Sequence, residues 1–303
     1  MLATSVVWKS ITSLTILLLI IDSYLLNFMA VISQNSHAFC LHHLPATEYY
    51  NHYAAMICGA KLPASLFTEN LKQVGLYHLL VISGSHLIFI EQIVSLLSHS
   101  QKNSRSIILY IFVTALTFAS LLSPPVFKAW ISFMLRKTSS ETRLFWTSAM
   151  LALISGVLCL LIFPNWLSSS SLQLSWAASI LISWPMNSKL KKCFIIYLGL
   201  TPLLWGFQIL NPTTALVNWF MAPIVGLILF PACLASSVFK PLSLVTDFLW
   251  LQFHLMIEFL APYSPILSGE TINTHNLNWF YIFILQVGLF YLDLKMKRTR
   301  VLS

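Results

Sequence analysis

Ten runs of apolar residues, each near the length that crosses a lipid bilayer, occupy most of this chain and leave only short gaps between them. The hydrocarbon core is about 30 Å thick, which about 20 helical residues span, or fewer when flanking side chains reach outward. The runs are Ile11–Ile32, Gly75–Ser98, Ser104–Leu122, Pro124–Leu135, Leu144–Phe163, Leu172–Pro185, Cys193–Leu210, Thr213–Phe239, Leu244–Ala261 and Leu277–Leu294. Inside lipid no water satisfies a backbone N–H or C=O, so such segments must be helical. The expected fold class is therefore all-α: a polytopic transmembrane helix bundle of about ten spans. Composition agrees. Of the 303 residues, 57% are hydrophobic and 9% charged, whereas a soluble domain carries about 25% charged residues.

The gaps set the orientation. With the N-terminus on the cytoplasmic side and the runs alternating, only Lys61 and Lys72 fall outside and only Lys128 lies within a span; the other 14 of the 17 Lys and Arg are cytoplasmic. Cytoplasmic loops of membrane proteins carry this excess. The formal net charge of +8 is thus mainly a topology signal, since a nucleic-acid surface would gather its cations on one face. Both termini are expected in the cytoplasm. The first run reads as a span rather than a cleaved leader, because it is long, follows the single Lys9 and precedes no clean A-x-A site. Pro202, Pro223 and Pro231 lie inside runs and predict kinked or broken helices. The chain divides into a first span (1–32), a polar segment (33–74), a transmembrane core (75–294) and a basic cytoplasmic tail (295–303).

In the polar segment, Tyr49–Ile57 and Leu66–Val74 read as short amphipathic helices suited to lie flat in the outer interface after the first span. Cys40 and Cys58 also fall there; they pair if the segment faces an oxidising compartment and otherwise remain thiols. Cys159, Cys193 and Cys233 lie in or beside apolar runs as small hydrophobes. The sequence has no C-x-x-C pair, no histidine cluster at metal-ligand spacing and no G-x-x-x-x-G-K-[ST] loop. Accordingly no metal or other cofactor is expected, and no residue is assigned to catalysis.

Polar groups at membrane depth are costly and mark functional positions by default. The densest set opens the second run: Gly75-Leu76-Tyr77-His78-Leu79-Leu80-Val81-Ile82-Ser83-Gly84-Ser85-His86. Physics alone leaves two readings open, a functional site or a close-packing interface with interfacial histidines. Asp247, Trp250, His254 and Glu258 recur at i, i+3, i+7 and i+11 on one face of the ninth run. That stripe is expected to face a cavity or a partner, pairing with Lys128 or a histidine, or carrying a coupling proton. Asp22 and Glu91 are isolated acids expected to hydrogen-bond inside the bundle. Asn218, ahead of Pro223, fits either a broken helix lining a cavity or a simple kink.

The Gly75–His86 stretch resembles the signature of the ComEC family, polytopic channels that bring transforming DNA across the inner membrane of competent bacteria. That family's pattern G-L-x-H-L-L-A-I-S-G-L-H matches at Gly75, Leu76, His78, Leu79, Leu80, Ile82, Ser83, Gly84 and His86, and departs at Val81 and Ser85. Downstream, Ser123-Pro124-Pro125-Val126-Phe127-Lys128-Ala129-Trp130 is similar to the family's S-x-P-x-x-R-A segment, with Lys128 where arginine is usual. Phe163-Pro164-Asn165 with Leu172-Gln173-Leu174-Ser175-Trp176-Ala177, and then Asn211-Pro212 through Asn218 to Pro223, resemble two further family blocks in the same order. The resemblance covers roughly Tyr49 to Phe239.

What it implies is an inner-membrane channel translocating single-stranded DNA from periplasm to cytoplasm in natural competence, with His78, Ser83, Gly84, His86, Lys128 and Asn218 on the DNA pathway. Lys128 would meet phosphates at the outer boundary or snorkel to lipid headgroups. The implied partners are a periplasmic DNA receptor, a separate nuclease, a cytoplasmic helicase or single-strand-binding protein, the lipid bilayer and further copies of the chain in a homo-oligomer. Full-length family members carry an OB-like domain after the first span and often a metallo-β-lactamase-like domain at the end. Here 33–74 is too short for an OB fold, only Lys295–Ser303 follow Leu294, and no H-x-H-x-D-H run occurs. Two alternatives stay open: a proton-coupled secondary transporter of a small solute, and a shortened relative serving as a non-transporting scaffold.

Overall fold

The computed structural model of the chain describes residues 24–80, 84, 86, 87, 89–91, 102–141, 146–186, 188–204, 213–264 and 275–302. Among the described residues the structure is helical throughout, without a strand. Its helices are α1 (24–43), α2 (Tyr50–Cys58), α3 (Leu66–Val74), α4 (Tyr77–Leu80, with helical positions at 84, 86, 87 and 89–91), α5 (Lys102–Ala119), α6 (Pro124–Glu141) and α7 (Ser148–Ile162). There follow α8 (Ser170–Ser183), α9 (Lys189–Leu204), α10 (Thr214–Ile224), α11 (Phe230–Val238), α12 (Ser243–Leu260) and α13 (His275–Leu302).

Three helical stretches are long and apolar enough to cross a bilayer: Thr214–Val238, Lys240–Tyr263 and Leu277–Lys295. Two shorter apolar helices, Ile107–Ala119 and Ser148–Ile162, accompany them. The distribution of side chains is that of a protein solvated by lipid. On α12, Leu244, Val245, Phe248, Leu255 and Phe259 face outward while Trp250, Phe253 and Ile257 are buried, so both faces are apolar. A helix hydrophobic all round needs an apolar solvent on its outer side. The chain is a membrane protein.

Two packed clusters make the interior. The first gathers α2, α3, α4 and its continuation, α5, α10, α11 and α12 around Tyr53, Leu71, Phe230 and Trp250. The second joins α7, α8, α9 and α13 around Trp176, Ile180, Ile282 and Leu289. Helix α6 stands between them: Val126 and Phe133 enter the first cluster, and Phe127 and Ile131 pack with Cys159 and Leu172 beside the second. A polar seam runs through the second cluster. Asn278 donates to Gln173 at 3.1 Å, Gln286 donates to the Ala149 carbonyl at 2.9 Å, and Trp176 Nε1 donates to Gln286 Oε1 at 3.4 Å. Such bonds glue helices together where apolar contacts cannot discriminate helix from lipid.

Several elements differ from the sequence expectation. The first helix continues past Ile32 to residue 43, and α6 runs on past Leu135 to Glu141. Pro223 and Pro231 do not break their helix; the turn between them, Val225–Leu229, is π-helical, which accommodates the missing N–H donors without interrupting the segment. The larger difference is α2. Instead of presenting one apolar face to an interface, it is buried all round over Tyr53–Cys58, with Tyr53, Ala55, Met56 and Cys58 at 0% exposure, while Asn51 at its first turn is exposed. A disulfide joins Cys58 to Cys40 of α1.

The corner between α5 and α6 is strained. Leu121 and Leu122 both adopt left-handed backbone, at φ 55° and 51°, which costs a non-glycine residue about 1–3 kcal/mol. Leu122 is held there by burial against Phe127 and Ile131 and by its N–H bond to the Thr117 carbonyl at 3.2 Å. Pro124 and Pro125 then open α6 in the first turn, where a missing N–H leaves nothing unsatisfied.

Candidate functional site

The signature segment is positioned by two turns. Ser65 caps α3 by accepting from the Thr68 N–H at 3.2 Å. Gly75 ends the helix at φ 79°, and the Leu76 N–H closes back on the Leu71 carbonyl at 2.9 Å. A side chain at Gly75 would be strained by its backbone and would strike Thr214, 2.5 Å from where its Cβ would sit. Glycine here lets α4 start directly beside the first turn of α10.

From that start three helices run parallel. Gly75 meets Thr214, and further along Phe89 packs on Gly226, leaving no room for a Cβ. His86 presents its ring edge-on to Phe230 at 4.6 Å. On the other flank, a Cβ at Gly84 would lie 2.9 Å from Ala129 Cβ, so α6 approaches the signature helix as closely as backbone allows. At the far end Glu91 pairs with Arg136 and with Lys137, the latter at 3.7 Å. Glu91 is therefore not the isolated acid of the sequence reading; it clamps the signature helix to α6 at the basic end of both.

Between the Gly75–Thr214 and Phe89–Gly226 contacts lie His78 and Asn218. His78 is an exposed position of α4. Asn218 follows Thr214 by one turn on the same face of α10. Its Oδ1 is buried and has no hydrogen-bond partner among the described residues. An unmet amide at membrane depth is expensive, which marks this position as built to meet something polar. His86 is buried at 1% exposure deeper along the helix. Ser83, the remaining signature candidate, lies outside the described residues, as does Asp22.

Lys128 stands apart from these residues. It is buried at 2% exposure on the opposite flank of α6 and donates to Ser179 Oγ of α8 at 2.8 Å. Its ammonium is held inside the protein against α8 rather than reaching outward along the helix surface. The polar stripe on α12 does not reach Lys128 either. Asp247 accepts hydrogen bonds from Tyr53 at 3.0 Å and Thr47 at 3.2 Å. His254 Nε2 lies 3.0 Å from His52 Nε2, and Glu258 is exposed. Of the expected pairings the one with Lys128 is not formed and the one with a histidine is, through His52; the stripe meets the segment around α2, whose depth in the bundle was not anticipated. Burial, followed by the bond to Asp247, raises the Tyr53 phenol above its ordinary range. Burial and the neighbouring His254 lower His52 to about 4.

Sequence reasoning missed Thr214, Ser179 and the Arg136–Glu91 clamp. The clamp had a readable signal, a basic pair and an acid at the same end of two helices expected to be parallel.

The family model described as Competence protein matches residues 62–298, more than three quarters of the chain. No curated protein and no solved structure matches it. The matched region begins just before α3 and takes in the signature, the α5–α6 corner and the helices packed on the signature. This chain belongs to the Competence protein family, of which the ComEC-like proteins bear that signature.

Proposed function

We propose that this chain is the channel core of a bacterial inner-membrane DNA importer, with about ten spans and both termini cytoplasmic, passing single-stranded DNA from periplasm to cytoplasm during transformation. The observation that carries this reading is the signature helix, packed against its neighbours at glycines with the unmet amide oxygen of Asn218 beside it, in a member of a competence family. A single strand carries one negative charge per nucleotide and cannot cross hydrocarbon without polar partners along its route. The imidazole of His78 can donate to phosphate oxygens, and the unmet Oδ1 of Asn218 can accept from base N–H groups.

Lys128 acts from behind this route. A cation held in a low-dielectric helix interface raises the local potential over a long range, favouring a polyanion without touching it. No chemistry on the strand is assigned to this chain. A separate nuclease prepares the strand, a periplasmic receptor delivers it, and a cytoplasmic helicase or single-strand-binding protein draws it through. The secondary-transporter alternative needs Asp247 and His254 free to exchange protons, yet both are engaged with α2 and its flank.

The test uses competent cells given labelled DNA. His78→Phe combined with Asn218→Leu should leave protein in the membrane at normal level and stop DNA outside the cytoplasm. Unchanged import in that double variant would remove His78 and Asn218 from the pathway.

A further inference from the structure

Helix α2 lies upstream of the family-matched residues, and the DNA pathway makes no use of it, yet it is among the most deeply buried elements of the bundle. Its two ends are fastened differently. The C-terminal end is fixed covalently by Cys40–Cys58, and His37 Nδ1 sits 2.7 Å from the Ala119 carbonyl and 3.0 Å from that of Cys58. The N-terminal end is held by side chains on α12: Asp247 takes the hydroxyls of Thr47 and Tyr53, and His254 meets His52.

The imidazole pair is enclosed. Phe67 of α3 lies flat on His254 with ring centroids 3.6 Å apart and planes 6° from parallel. Tyr49 stands edge-on to both rings, and Trp250 packs against His52 at 4.8 Å. Glu48 ahead of α2 and Glu258 on α12 act on His254, the Tyr49 backbone bonds His52, and Asp247 of α12 acts on the adjoining Tyr49, while α3 presents the neutral Phe67. Two ring nitrogens 3.0 Å apart share one hydrogen, so at least one ring must be neutral at that nitrogen. Protonating both would set N–H against N–H and bring two positive charges together.

We propose that His52 and His254 form an acid-sensitive latch, docking α2 and α3 on α12 while no more than one of the two rings is charged and releasing them when both are. The disulfide keeps the far end of α2 tethered, so release swings the segment about Cys58. His52 supports the direction of the effect. Undocked, it titrates at its ordinary 6.5; docked, burial and then His254 lower it to about 4. Docking is therefore at full strength well above pH 6.5 and weakens as pH falls through 4, by about 300-fold in the limit of low pH.

Hydrogen exchange on the full chain in lipid nanodiscs reads this directly, with rates corrected for the intrinsic pH dependence of exchange. The protection of 50–58 should fall by about 40-fold between pH 6.5 and 4.5, while Leu277–Lys295 on α13 keeps its protection. His52→Gln and His254→Gln, which retain a hydrogen-bonding side chain, should each remove the pH slope. A flat wild-type profile, a parallel loss on α13, or a slope that survives both substitutions would overturn the latch. Should both variants fail to fold, nitrogen-15 imidazole resonances of the wild-type protein decide: titration of His52 below pH 5 supports it, and titration near 6.5 overturns it. None of these outcomes depends on whether the chain carries DNA.

Discussion

Replacing Gly84 by alanine adds one methyl group at the tightest point between the signature helix and α6. The new Cβ would lie 2.9 Å from that of Ala129, whereas carbon atoms in contact settle about 3.5–4.0 Å apart. The helices must separate by most of an ångström or tilt, and such overpacking costs about 1–3 kcal/mol. Alanine also favours helix over glycine by up to about 1 kcal/mol, so the net loss in Gly84→Ala alone is smaller than the clash. A double-mutant cycle isolates the clash. Ala129→Gly should itself destabilise by about 1 kcal/mol through helix propensity, and the pair Gly84→Ala with Ala129→Gly should be more stable than the sum of the singles by about 1–2 kcal/mol. The assay is reversible unfolding of the full chain in mixed micelles, followed by tryptophan fluorescence. Strict additivity would refute the contact, and with it the parallel register of α4 and α6.

Leu121→Gly should stabilise by about 1 kcal/mol, because Leu121 is half exposed at φ 55° and glycine adopts that backbone without strain; a loss of stability in the same assay would mean the side chain anchors the corner. Gln286→Leu removes the acceptor of Trp176 and the donor to Ala149, and should cost about 1–2 kcal/mol with a red-to-blue change in the tryptophan environment. Glu91→Gln, which removes the charge paired with Arg136 and Lys137, should cost only about 0–1 kcal/mol at this partly exposed site and should lose its effect at high salt.

The sequence held much of the membrane character of this fold, because period and composition suffice to recognise helices solvated by lipid. The signature was equally legible: Gly75, Gly84 and His78 stood out as small or polar groups in an apolar run, and the structure finds the glycines at close helix contacts. What could not be read was who meets whom across the chain. Asp247 finds Thr47 and Tyr53 about 200 positions away in sequence, and Lys128 finds Ser179 on a helix it had no visible reason to choose. The depth of α2 did leave a trace. Tyr53-Ala54-Ala55-Met56-Ile57-Cys58 is apolar without interruption, which fits burial on all sides better than an interfacial stripe. Reading only Tyr49–Ile57 as amphipathic overlooked that continuity.

The claim that this chain conducts the transforming strand is tested most directly by deleting its gene in a competent strain that has no second copy and following labelled DNA from periplasm to cytoplasm. The account predicts that DNA still reaches the periplasm, that none becomes cytoplasmic, and that supplying the chain in trans restores passage. Normal arrival of DNA in the cytoplasm of the deletion strain would contradict it.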